Sequence, residues 1–194
     1  MNLRYVLLAI ALTGCAGVSR VADSPAAVGV RVDQPGVSFT LPTGRSWYVM
    51  VRSTYQVTLG GRGLSKDETF ITNVAINQLP AGLSREQFLE YVKKGRAAEP
   101  QTGRFETVNN DEHFSDQRQE VCVEHRATSK DYGVTRGQSF AIIEYRGMNC
   151  IHPNDASIGV LVELSRKAPP SVTDPAFDAA GAELLRSVEF KRFK

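Results

Sequence analysis

The sequence predicts an α+β fold, a mainly antiparallel β-sheet flanked by two helices at about residues 84–95 and 175–188. Three observations predict it. Period-two alternation dominates the chain, only two segments carry helical periodicity with a start signal, and four strand-like segments follow one another between those helices.

The elements follow in order. Val30 to Val32 is a short edge strand at most, and the folded domain is expected to begin near Pro35-Gly36. Val37-Ser38-Phe39-Thr40-Leu41 alternates as a strand, and Pro42-Thr43-Gly44 turns the chain. Trp47, Val49, Val51, Tyr55, Val57 and Leu59 then fall on one face of a long extended segment, with Arg52, Thr54, Gln56 and Thr58 on the other. Gly60-Gly61-Arg62-Gly63 has the glycines that a hairpin turn uses for positive φ. A phosphate loop would need a following Gly-Lys-Ser/Thr and a helix, and neither signal is present there. Thr69 to Leu79 returns as a strand closed by Pro80.

Ser84 and Gln87 form a capping-box pattern, Phe88 and Val92 make an i, i+4 apolar ridge, and Gly95 with Pro100 beyond it stops the helix. Strands are expected at Glu112–Ser115, Arg118–Thr128, Gln138–Arg146 and Ser157–Ser165, with a turn at Lys130-Asp131-Tyr132-Gly133. Ile158 to Val162 is apolar on both faces, which predicts a central strand covered from both sides. Asp174 is the expected cap of the last helix and Pro175 its first residue, with Phe177, Leu184, Leu185 and Val188 as the buried stripe.

This order of elements, the opening Leu41-Pro42-x-Gly44-x-x-Trp47 and the C-terminal helix are similar to PsbP-like domains. The resemblance implies an α/β/α sandwich used as an extrinsic or adaptor subunit. It carries no catalytic residue over.

The N-terminus reads as an export signal. Arg4 and the α-amino group are positive, Tyr5 to Leu12 is uninterruptedly apolar, and Thr13 and Gly14 are small. That run is far short of the roughly 20 apolar residues that span a bilayer. Leu12-Thr13-Gly14-Cys15 resembles the lipobox of bacterial lipoproteins. The resemblance implies cleavage before Cys15, a diacylglyceryl thioether on its sulfur and an acyl chain on its amine. More than one acyl chain holds a protein stably to a membrane. Ala16, where an aspartate would influence sorting, implies the outer membrane with the protein facing the periplasm. The expected organisation is a signal peptide over 1–14, a lipidated flexible tether over 15–34 and one globular domain over 35–194. The tether is rich in Ala, Ser, Gly and Pro, with a coil dimension on the order of 20 Å.

Removal of the signal leaves 180 residues with a net charge of +1. So even a balance offers no basic stripe to replace phosphate counterions, and nucleic acid is excluded as a partner class. With Cys15 assigned to lipid, Cys122 and Cys150 remain as an even pair in an exported chain, and a disulfide between them is expected. Such a loop stabilises by roughly 3–4 kcal/mol on the chain-entropy model. Cys122-Val123-Glu124-His125 and Cys150-Ile151-His152 also invite a zinc reading. Positions i and i+3 of a strand point to opposite faces, however, so Cys122 and His125 would not converge. No metal or cofactor site is assigned.

One charged constellation remains. If the last strands are neighbours, Glu124, Arg126, Glu144, Arg146 and Glu163 could gather on the sheet. Mixed charges of this kind ordinarily make a solvated, mutually neutralised face. Two function classes follow. One is a lipid-anchored envelope module that binds a partner, itself an envelope protein, without chemistry. The other is an envelope hydrolase with an acid/base pair drawn from Glu124, Glu144, Glu163, His113, His125 and His152. His152-Pro153-Asn154-Asp155 is read as a turn, and Lys191-Arg192-Phe193-Lys194 as a solvated chain end.

Overall fold

Alternating side chains build one wide antiparallel sheet whose two faces are covered differently. A computed structural model describes residues 25–26, 29–63, 65–97, 103–133 and 139–193. Its elements are β1 (Pro25–Ala26), β2 (Arg31–Gln34), β3 (Val37–Thr40), β4 (Trp47–Arg52), β5 (Gln56–Arg62), β6 (Thr69–Gln78), α1 (Arg85–Ala97), β7 (Phe105–Phe114), β8 (Cys122–Asp131), β9 (Ala141–His152), β10 (Asp155–Ala168), α2 (Phe177–Arg186) and β11 (Glu189–Phe190). The large sheet runs β1-β4-β5-β6-β10-β9-β8-β7, and a small one runs β11-β3-β2. The fold is thus mainly antiparallel α+β, as the sequence predicts. β10 is central, between β6 and β9.

Cys122 and Val123 are adjacent, yet they belong to different apolar clusters, so those clusters lie on opposite faces of the sheet. One face carries Val57, Leu59, Val74, Val162, Leu164 and Met148 and is packed by α2 and the small sheet. The other is covered at the β7–β9 side by α1, whose Phe88 and Val92 sit with Val123 and Leu79.

The capping box at α1 forms reciprocally. Ser84 N donates to Gln87 Oε1 at 2.8 Å, and Gln87 N donates to Ser84 Oγ at 3.2 Å. The start of α2 differs from expectation. Asp174 accepts from Ala176 N (2.9 Å, side chain) and Phe177 N (3.1 Å, backbone). It therefore heads a turn through Pro175 and Ala176, and the helix proper begins at Phe177 rather than at 175.

The segment expected as one long strand from Trp47 to Leu59 is a hairpin. Ser53 Oγ accepts from Tyr55 N (3.2 Å) and Gln56 N (3.0 Å), a local bond that turns the chain. A bulge at Met50 moves Val51 to the opposite face from Val49, and Tyr55 falls in the turn closed by Ser53 N and the Gln56 carbonyl, so both are exposed instead of joining the core. Gly60 and Gly61 consequently lie inside β5. A Cβ at Gly60 would stand 2.5 Å from the Tyr48 ring and one at Gly61 3.0 Å from the Trp47 ring, so these glycines admit aromatic neighbours.

Arg31–Gln34, within the stretch read as tether, pairs with β3 and buries Val32 and Gln34. β7 begins at Phe105, seven residues before the weak signal at Glu112. Lys130 and Asp131 close β8 rather than starting a turn. The chain end also docks: Glu189 and Phe190 pair with β3, and Phe193 packs on His152 with ring centroids 4.6 Å apart.

Candidate functional site

Strand alternation divides the charged residues. Glu124, Arg126, Glu144 and Arg146 share a face with Met148 and Leu164, whereas Glu163 points to the other one. The five-residue constellation is therefore split by the sheet itself. On the α2 face, Glu124 accepts from Ser115 Oγ at 2.6 Å, and Glu144 accepts from Arg166 at 2.6 Å. Buried Arg166 also donates to Glu68 (2.5 Å) and to the Val172 carbonyl (2.9 Å), locking the loop before α2. Arg126 pairs with Asp178 of α2. Arg146 lies under Gly181, where a Cβ would collide with its stem. A cleft of about 170 Å³ is lined by Gln117, Arg118, Glu124, Met148, Leu185 and Arg186. Its lining includes one carboxylate, Glu124, and two guanidiniums, Arg118 and Arg186.

On the α1 face the structure assembles one acid/base pair from the sequence candidates. Glu112, His125, Gly147 and Glu163 occupy one row across β7, β8, β9 and β10. His125 reaches over Gly147, and its Nε2 lies 2.8 Å from Glu163 Oε2. A Cβ at Gly147 would stand 2.5 Å from the imidazole, so only glycine leaves room for a ring that spans a whole strand. Arg96, in the last turn of α1, donates to Glu163 at 3.1 Å and approaches Glu112 at 3.5 Å. One guanidinium thus ties the helix to two strands.

The protonation states follow from that geometry. Burial holds His125 below its ordinary value, against the opposing pull of Glu163. Burial also disfavours the Glu163 carboxylate, but the His125 hydrogen bond and Arg96 outweigh it and hold Glu163 ionised. His125 Nδ1 is buried without a partner. A neutral ring with its proton on Nε2 leaves only a lone pair bare, whereas an imidazolium would leave a bare N–H donor. His125 is therefore a neutral donor to Glu163. The ring is 1% exposed. Its free nitrogen faces protein, so His125 offers no reachable base, and the Glu163 carboxylate that it shares with Arg96 orients α1.

The other two histidines have separate roles. His113 is exposed and pairs with Asp111 at 3.2 Å. His152 is buried; its Nδ1 accepts from Asn154 N (3.2 Å), so Nε2 carries the proton to the Gly36 carbonyl (3.0 Å). It ties the β9–β10 turn to the β2–β3 turn.

Cys122 and Cys150 are direct register partners and form a disulfide. Cys122 and His125 point to opposite faces, as strand alternation requires. Among the described residues there is no group of three metal-ligating side chains, and no helix is long and apolar enough to cross a membrane. Cys15 and the signal segment lie outside the described residues.

Sequence reasoning missed Arg96, Glu112 and Gly147 as parts of this row. A glycine inside an otherwise regular strand was the signal that could have found it. No protein-family model matches the chain, and no curated protein matches it either.

Proposed function

We propose that the protein is a lipid-anchored module of the bacterial cell envelope, held at the outer membrane and facing the periplasm, that binds or assembles with another envelope protein without chemistry of its own. The observation that carries this reading is Leu12-Thr13-Gly14-Cys15 at the end of a short apolar run behind Arg4. The Cys122–Cys150 disulfide accords with an oxidising compartment. The hydrolase alternative would draw on His125 and Glu163, the pair that the fold brings together, and the burial of His125, with Glu163 bonded to it and to Arg96, supports the binding reading instead.

Metabolic labelling with a fatty-acid analogue tests the anchor. Wild type should be labelled and fractionate with membranes, and Cys15→Ser should be unlabelled and either released or left as precursor. An unlabelled mature wild type would overturn the reading. Crosslinked pull-down from envelope membranes should then return a specific protein partner.

A further inference from the structure

We infer that the β4–β5 hairpin edge of the large sheet is the side that lies on the lipid surface, an inference that rests on the acylation of Cys15 proposed above. Where the chain enters the fold sets the first constraint. Pro25 and Ala26 pair antiparallel with Tyr48 and Trp47, on the outer side of β4. In this pairing Pro25 is the residue nearer the Arg52 end of β4. Nine residues, 16–24, lie between Cys15 and Pro25, which makes ten Cα–Cα steps. Fully extended they reach at most about 35 Å, and as a coil they span about 17 Å.

The opposite edge of the sheet, β7, is seven strand spacings from β1, about 34 Å at roughly 4.8 Å each. An anchor on this leash rests easily at the β4 edge. It reaches the β7 edge only at full stretch.

The side chains on the near edge have the chemistry of a bilayer interface. Met50 and Val51 are 42% and 43% exposed, and Tyr55, at 68%, is the most exposed large hydrophobic residue described. The bulge at Met50 and the turn at Ser53 set these three outward. Exposed Arg52 follows Val51 at the end of β4. Its guanidinium donates to the Asp33 carbonyl at 3.3 Å, and Lys191 pairs with the Asp33 side chain, so two cations meet at Asp33 beside the end of β4. An aromatic ring with a polar tip, flexible apolar residues and flanking cations suit the headgroup boundary of an anionic bilayer. Beyond Tyr48, the outer side of β4 has no strand neighbour among the described residues. A lipid surface covers such an edge without offering a competing strand.

The test is hydroxyl-radical footprinting of the full acylated chain on phosphatidylethanolamine/phosphatidylglycerol vesicles, with acylation read by mass spectrometry on the same sample. Tyr55 should then be modified at least about threefold more slowly than Tyr132 at the far end of β8, because residues seated among headgroups lose contact with water. In free solution the order should be the reverse, since Tyr55 is the more exposed (68% against 43%). Met50 oxidation should fall with Tyr55. A Val51→Asp/Tyr55→Asp double variant should keep its melting temperature and regain Met50 oxidation on vesicles. Acylated protein whose Tyr55 still reacts faster than Tyr132 would overturn this face while leaving the anchor standing. A chain without acyl groups on Cys15 would overturn both.

Discussion

The two faces of the large sheet solve the same burial problem by different means. The α2 face is a continuous apolar surface in which Val57, Val74 and Val162 line up in one row across β5, β6 and β10, next to Leu59 and Leu164. Each of these residues is replaceable in kind, because any apolar side chain of similar volume fills the place. The α1 face has a smaller apolar cluster and a row of singular residues, Glu112, His125, Gly147 and Glu163, bridged by Arg96. There every member depends on the identity of the next. The difference teaches that one face is specified by pattern and the other by particular contacts.

Truncation should separate the faces most sharply. Leu164, fully buried on the α2 face, should cost about 2–5 kcal/mol as Leu164→Ala, measured by denaturant unfolding. Cys122→Ala with Cys150→Ala should cost a similar amount, about 2–5 kcal/mol, while leaving the α1 side intact by hydrogen exchange at Phe88 and Val92. Gly147→Ala should cost about 1–3 kcal/mol by forcing the imidazole off its partner. In a Gly147→Ala/His125→Ala double variant the losses should be less than additive, because the ring that collides is gone while the Val162 carbonyl, 2.8 Å from the same Cβ, remains. Additive losses would mean that Gly147 matters for some reason other than His125.

The pH dependence sharpens the comparison further. His125 and Glu163 both have native values lowered from their ordinary 6.5 and 4.5. For each, the stabilising contribution is complete above the ordinary value and is lost as the pH falls, because the unfolded chain takes up the proton first. Stability should therefore decline below about pH 6.5, with a slope of at most about 1.4 kcal/mol per pH unit from one histidine. Glu163 should add a second decline below about 4.5. A His125→Phe variant that keeps the full slope just below 6.5 would place its origin elsewhere. The smallest effect is expected at Arg126→Gln, less than about 1 kcal/mol, since Arg126 and Asp178 are both about half exposed.

Legibility in the sequence follows the same division. The alternation of Val57-Thr58-Leu59 and the capping box at Ser84 were readable because each depends on neighbours a few residues away. The Ser53 turn escaped because the alternation before and after it is in phase, and a bulge of one residue at Met50 leaves no mark in hydropathy. Gly60-Gly61 looked like a turn because glycine serves both positive φ and close approach. Only the facing Tyr48 and Trp47 decide which of the two applies. Glu163 looked like part of a solvated charge face, and its odd spacing from Leu164 was enough to place it on the opposite side from Glu144 only once the β9–β10 register was known.

The sequence by itself determined the strand-rich α+β class, the helix that starts at Ser84 and the even cysteine pair. These are consequences of local periodicity, local hydrogen bonds and composition. The tertiary structure alone decided that Cys122 faces Cys150 directly, that His125 crosses Gly147 to reach Glu163, and that the chain enters at the β4 edge. Strand order and register are set by long-range pairing, and a shift of one residue would send every one of these side chains to the other face.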